Sequence, residues 1–125
     1  MNKKQWLGLG LVTVAAFGLA ACGNRASRSD SSDAKTDLKA AIVTDTGGVD
    51  DKSFNQSAWE GLQAWGKENG LSKDNGFTYY QSTSEADFAN NFSQAATNGY
   101  KLVYGVGYKL APAVTAAADE NADIN

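Results

Sequence analysis

The sequence predicts an α/β fold for residues 38–125, in which a parallel sheet carries flanking helices. Short apolar runs alternate there with longer segments whose apolar residues recur every three or four positions, the pattern of a parallel sheet covered by helices. Residues 1–37 differ, because an apolar segment behind two lysines is followed by a polar stretch rich in Ser and Asp. We therefore expect one folded region behind an export signal and a tether.

Residues 1–21 predict a lipoprotein signal peptide. Lys3 and Lys4 precede an apolar run, and the tetrapeptide Leu-Ala-Ala-Cys ends at Cys22, where the lipoprotein peptidase would cleave. Cys22, the only cysteine of the chain, would then be the lipid attachment site, and two acyl chains make a stable anchor. A transmembrane anchor is the alternative, but the run is shorter than the roughly 17 to 25 residues that span a bilayer.

Residues 22–37 predict a flexible tether, since they are rich in Ser and Asp and have almost nothing to bury. A coil of this length would hold the folded part on the order of 20 Å from the membrane. A disordered tail without function predicts the same composition.

Composition excludes several classes of function. The chain has no histidine, so no imidazole can serve as general base, zinc ligand or phosphate carrier. Loss of the signal peptide would remove two lysines and leave 9 basic against 14 acidic residues. An acidic chain is a poor nucleic-acid binder. We expect no metal, no cofactor and no nucleic-acid partner, and we expect lipid to provide the membrane association.

The first strand and helix are predicted from residue 40 onward. Ala40–Val43 forms a short buried strand, and Thr44–Gly48 ends it. A helix follows from Ser53 to about Asn69, because apolar residues recur there at steps of three and four on one face, namely Phe54, Ala58, Leu62 and Trp65.

The second strand is predicted at Phe77–Tyr80, after the turn-forming Asn75-Gly76. The second helix begins at Ser84, where Asp87 can reach back in a carboxylate version of the capping box, and it ends at Asn98-Gly99. Its inner face is predicted to carry Phe88, Phe92 and Ala96.

The third strand is predicted at Leu102–Gly105, and a third helix follows Gly107-Tyr108 and tolerates Pro112 in its first turn. Its inner residues are Ala113, Val114, Ala117 and Ala118. Residues 122–125 resemble the start of a fourth strand. Because three parallel strands with exposed edges are marginally stable, we expect residues 38–125 to be an incomplete lobe.

The loop after the first strand, Asp45 to Gln56, carries the residue types of a binding site. Ligands of open α/β sheets bind at the carboxyl ends of the strands. Three aspartates in this loop would repel an anion, and the Rossmann and P-loop spacings are absent. A carboxylate that accepts hydrogen bonds, the flat ring of Phe54 and the amide of Asn55 suit a neutral ligand with a heterocycle and a sugar.

Each of these residues also has a structural interpretation. Spacing alone favours core packing for Phe54, in the first turn of its helix. Asp45 could cap nearby amides instead of binding a ligand. Asp50 and Asp51 are more typical of charges at a helix entry, where the helix dipole favours them.

The run from Ala41 to Gln56, which includes Asp-Asp-Lys-Ser-Phe-Asn, resembles the basic membrane protein family of lipoproteins. Together with the lipobox and Gly105-Val106-Gly107, in the same order, the resemblance covers residues 38–125. Members of this family are purine nucleoside receptors of ABC transporters.

The resemblance implies the first lobe of a type I periplasmic-binding-protein fold, whose two lobes close on a purine nucleoside and then dock on an ABC permease. It implies that Phe54 stacks on the base, that Asp45 bonds the base and that Asn55 adds a polar contact, with Ser53 and Gly107 as further candidates. The protein would be no enzyme and would sit, lipid-anchored, on the extracytoplasmic face of the cell membrane.

Two other functions are compatible with parts of the sequence. Asp45 could be the nucleophile of a haloacid dehalogenase-like phosphatase, but the second aspartate of that motif would fall at Gly47. A structural or adhesive surface lipoprotein would explain the anchor but not the loop after the first strand.

Overall fold

The computed structural model describes residues 35–125. Its strands and helices are, in chain order, β1 (Ala40–Thr44), α1 (Phe54–Glu68), β2 (Phe77–Tyr80), α2 (Phe88–Thr97), β3 (Leu102–Val106) and α3 (Ala111–Glu120). Short 3-10 turns, Glu85–Asp87 and Tyr108–Leu110, lead into α2 and α3. The three strands are parallel and lie in the order β2-β1-β3, which confirms the predicted α/β fold.

The predicted signal peptide, residues 1–21, and the lipid attachment site Cys22 lie outside the described residues, as does the predicted tether except for residues 35–37. The Lys35 N–H donates to the Asn69 carbonyl at 2.8 Å, so residue 35 contacts the loop that follows α1. No helix within residues 35–125 has the length and apolar content that crossing a membrane requires.

Strand β1 forms the centre of the sheet. All five of its residues are buried, and it pairs with β2 on one side and β3 on the other, with Ala40 opposite both Phe77 and Leu102. A strand buried on both faces needs a continuous apolar run rather than an alternating one, which is what the sequence from Ala40 to Val43 provides.

Helix α1 covers one face of the sheet. Leu62 packs on Ala40, Ile42 and Phe77, with Ala58, Trp59 and Trp65 at the margin of this cluster. Gly66 lies so close to the ring of Phe77 that a Cβ at this position would overlap it. The core-packing interpretation of Phe54 is wrong, because this side chain is 80% exposed and the buried position in the first turn belongs to Asn55.

Helices α2 and α3 cover the opposite face, where Val43, Phe88, Phe92 and Leu110 form the core. As predicted, the Asp87 carboxylate accepts the Ser84 N–H at 2.9 Å. On α2, Ala95 is more deeply buried than the predicted Ala96. Helix α3 has no fully buried residue, and its Val114 is 37% exposed.

Residue 125 lies beside β3. The Asn125 N–H donates to the Lys101 carbonyl at 2.9 Å, and the Asn125 carbonyl accepts from the Val103 N–H at 2.7 Å. This pair of bonds is the parallel ladder pattern, so the chain enters an extended pairing at the position where the sequence predicts the start of a fourth strand.

Candidate functional site

Asp45 lies directly after β1 and uses one of its two carboxylate oxygens inside the loop. Oδ1 accepts the Gly47 N–H at 2.8 Å and the Asn55 side-chain amide at 2.7 Å. Oδ2 accepts no hydrogen bond from the residues that the structure describes, and it lies beside Gly107, where a Cβ would come within 3.1 Å of it. Asp45 therefore presents one acceptor next to a residue without a side chain.

Asp51 is the structural anchor of the same loop. Its Oδ1 accepts the backbone N–H groups of Ser53 and Gln56 at 2.7 and 3.1 Å, and its Oδ2 accepts from Asn55. Desolvation raises the pKa of Asp51, but the hydrogen bonds from Gln56, Ser53 and Asn55 outweigh it, and the pKa lies below its ordinary value. The helix-entry interpretation of Asp51 is confirmed.

Asn55 lies beneath the loop, with only 1% of its surface exposed. Its Nδ2 donates to Asp45 Oδ1 at 2.7 Å and to Asp51 Oδ2 at 2.9 Å. Its Oδ1 is buried and has no hydrogen-bond partner among residues 35–125. The amide therefore links two loop carboxylates.

Phe54 and Tyr108 present two exposed rings at the carboxyl edge of the sheet, 80% and 87% exposed. Both line an open groove of about 950 Å³, together with Asp45 and Gly107. The groove continues along the sheet past residues of α1 and β3, including Leu62, Trp65, Leu102 and Tyr104. Ser53 is exposed at the start of α1 and is not among the residues that line this groove.

Sequence reasoning missed Tyr108 as a site residue. Tyr108 follows β3, which pairs directly with β1, so the loops that carry Phe54 and Tyr108 lie at neighbouring strand ends. The rest of its turn is fixed, because Leu110 is fully buried and Lys109 binds Glu85 at 2.8 Å. The signal available in the sequence was an aromatic residue directly after the glycine that follows the third strand.

A buried polar network holds the strand end that precedes Asp45. The Thr44 hydroxyl donates to the Asp45 carbonyl at 2.9 Å and accepts the Ser82 N–H at 3.3 Å. The Ser82 hydroxyl in turn accepts from the Asn91 amide of α2 at 2.9 Å. Because Thr44 and Ser82 are fully buried, these bonds fix the end of β1 against α2 and the loop after β2.

The arrangement is suited to binding. Within residues 35–125 there is no group of three or more His, Cys, Asp and Glu side chains that could hold a metal ion. The open edge offers one free carboxylate oxygen, two exposed rings and a glycine that leaves space beside them. Such a surface can accept a hydrogen bond from a flat ligand while an aromatic ring covers its face.

Comparisons with known proteins identify the family of the chain. Residues 38–125 match the family model of the PnrA-like ABC transporter substrate-binding proteins. The chain is 49% identical, over 124 residues, to the ABC transporter nucleoside-binding protein BmpA of Lactococcus lactis, and the match covers 98% of this chain and 35% of BmpA. It is 50% identical over 117 residues to the CD4+ T-cell-stimulating antigen of Listeria innocua, covering 90% of this chain and 33% of that protein.

The chain thus spans about a third of the length of the curated relatives it matches. Among solved structures, it is similar to a protein described as a lipoprotein of Peptoclostridium difficile, with a TM-score of 0.58, 19% identity and coverage of 69% of this chain and 67% of the other. A solute-binding protein of an ABC transporter system from Conexibacter woesei matches with a TM-score of 0.57, 21% identity and coverage of 70% and 28%. These structural matches support the fold.

Proposed function

Since this chain belongs to the PnrA-like family of ABC transporter substrate-binding proteins, we propose that it is part of a lipid-anchored receptor that delivers purine nucleosides to an ABC importer. The observation that carries the proposal is that Asp45, with its free Oδ2, and the exposed ring of Phe54 line the same groove. A relative nearly half identical to the chain is described as nucleoside-binding.

In the proposed complex, the purine stacks on Phe54 and donates a ring or exocyclic N–H to Asp45 Oδ2. A carboxylate accepts such a bond strongly because it is ionised at neutral pH. Gly107 leaves space for the edge of the base, and Tyr108 offers a second ring at the same strand ends. Ser53 lies next to Phe54 and is a further candidate for a polar contact with the nucleoside.

The proposed mechanism is capture without chemistry. The nucleoside binds between two lobes, the lobes close, and the closed form docks on the permease. Residues 38–125 provide contacts from one side of the ligand. The other half of the clamp would come from a second lobe, as the greater length of the relatives suggests.

The proposed anchor is a lipid on Cys22, which would place the receptor on the extracytoplasmic face of the cell membrane. The support is the sequence of the lipobox and of the two lysines before the apolar run. The geometry does not support the phosphatase alternative. The general acid of that motif would be at position 47, and Gly47 has no side chain that could act as one.

The test is calorimetric titration of the full-length protein with adenosine, guanosine and inosine, with cytidine and ribose for comparison. We expect saturable binding of at least one purine nucleoside. Phe54→Ala should weaken that binding by about 1–3 kcal/mol, the contribution of stacking on an aromatic ring. Its midpoint of urea unfolding should stay unchanged, because the ring it removes is exposed.

Tyr79→Ala is the matched control, since Tyr79 is a half-buried aromatic that packs on Trp59 away from the groove. It should lower stability and leave affinity intact. Absence of binding by all three purine nucleosides would overturn the proposed function, and unchanged affinity in a folded Phe54→Ala variant would remove Phe54 from the site.

A further inference from the structure

We infer that Asn55 is a positioning residue, which fixes the Asp45 carboxylate with Oδ2 toward the groove and does not itself contact the ligand. The inference rests on the proposed function, because it assigns to Asn55 a role within that binding site. It replaces the direct polar contact that the family resemblance implies for this residue.

The orientation of the Asn55 amide follows from its neighbours. Asp45 Oδ1 and Asp51 Oδ2 lie 2.7 and 2.9 Å from the same nitrogen. Ionised carboxylates only accept hydrogen bonds, and a side-chain amide nitrogen has two hydrogens. One hydrogen therefore goes to each carboxylate, and the amide has no donor left for a ligand.

The remaining polar atom of Asn55 is also poorly placed for a ligand. Its Oδ1 is buried, and the whole side chain is 1% exposed. An orphaned acceptor in the interior costs free energy. The benefit that offsets this cost is the link between two like charges, because Asp45 and Asp51 would otherwise repel each other across the loop.

Gly47 makes this close approach possible. A Cβ at position 47 would lie 3.1 Å from Asn55 Nδ2 and 3.1 Å from Asp45 Oδ1, which is tighter than ordinary contacts. The Gly47 N–H also donates to Oδ1 at 2.8 Å. Two donors thus hold Oδ1 and fix the rotation of the carboxylate, so Oδ2 is left to the groove.

A double-mutant cycle tests the inference in the full-length protein. Asn55→Leu removes both donors at similar volume, and Asp45→Asn removes the carboxylate. If Asn55 acts through Asp45, we expect Asn55→Leu to weaken purine-nucleoside binding about tenfold or more in the parent protein and less than about twofold in the Asp45→Asn background. Equal losses in both backgrounds would mean an independent ligand contact and would overturn the inference.

Thr78→Val is the matched control, because Thr78 is another buried polar side chain, 7% exposed, whose hydroxyl donates to the Asp74 carboxylate at 2.7 Å rather than to Asp45. This control should lower the midpoint of urea unfolding without weakening purine-nucleoside binding. An equal loss of affinity in Thr78→Val, or no loss in Asn55→Leu, would also overturn the inference. If Asn55→Leu does not fold, Asn55→Ser keeps one donor and should show the same non-additivity with a smaller loss. Failure of the parent protein to bind any purine nucleoside would instead overturn the proposed function.

Discussion

At the residue scale, the site depends on which atoms the backbone leaves free. Asp45 gives Oδ1 to Gly47 and Asn55, and its Oδ2 stays open beside Gly107. Gly107 has φ 112°, a conformation that L side chains rarely adopt. The glycine therefore serves both the turn after β3 and the space around the acceptor.

Gly107→Ala should lower both stability and affinity. The backbone conformation would be strained by on the order of 1–3 kcal/mol, and the new methyl group would lie 3.1 Å from Asp45 Oδ2. The measurements are the midpoint of urea unfolding and the purine-nucleoside dissociation constant. Gly99→Ala separates the two effects, because Gly99 has φ 81° and a Cβ there meets nothing within 4 Å. Gly99→Ala should lower stability and leave affinity unchanged. Similar losses of affinity in Gly107→Ala and Gly99→Ala would contradict this explanation.

At the element scale, helix α1 contributes both to the core and to the candidate site. Its middle packs on the sheet through Leu62, while its first turn carries Phe54 and Asn55 at the carboxyl edge. Asp51 accepts the N–H groups that a helix N-terminus leaves unpaired. The packing of α1 on β1 and β2 therefore sets the position of the Phe54 ring.

Two glycines of α1 should respond to alanine in opposite directions. Gly66→Ala would drive a methyl group into Phe77 and should destabilise the protein by about 1–3 kcal/mol. Gly61→Ala meets nothing within 4 Å and should stabilise the helix by about 0.5–1 kcal/mol, the difference in helix propensity. Urea unfolding of both variants measures the change in the free energy of unfolding. A change of the same sign in both variants would show that the helix does not pack as described.

At the scale of the whole molecule, acidic side chains form hydrogen bonds and ion pairs with backbone groups, hydroxyls and lysines. Hydrogen bonds and nearby lysines lower the pKa of several aspartates. The Thr83 hydroxyl and backbone do so for Asp87, the Thr78 hydroxyl and Lys73 do so for Asp74, and Lys101 does so for Asp123. The Glu85 carboxylate likewise raises the pKa of Lys109.

The protein should therefore lose stability in acid. A carboxyl group whose pKa is lower in the folded than in the unfolded chain stabilises the fold above its unfolded pKa, and this contribution disappears as the pH falls through the folded pKa. We expect the urea midpoint to fall as the pH drops below about 4. Asp87→Asn should have a lower midpoint at neutral pH and a shallower acid loss. A midpoint that stays constant or rises between pH 5 and 3 would contradict this account.

The sequence by itself determined the fold class, the order of the elements and most of their bounds to within about one residue. Phe77–Tyr80 was predicted with the bounds it has, and the Asp87 cap was predicted from spacing. These features are local, because apolar periodicity and turn residues act over a few positions. The loop motif was also enough to indicate the family, which the match over residues 38–125 confirms.

Tertiary structure decided which of the candidate side chains face the groove. Helical spacing placed Phe54 with Leu62, but α1 begins beyond the end of β1, so Phe54 is exposed and Asn55 turns inward to the two carboxylates. Tyr108 joined the site only because β3 pairs beside β1. Strand order and the rotation of a helix on a sheet are set by contacts between residues distant in sequence, which local patterns do not encode.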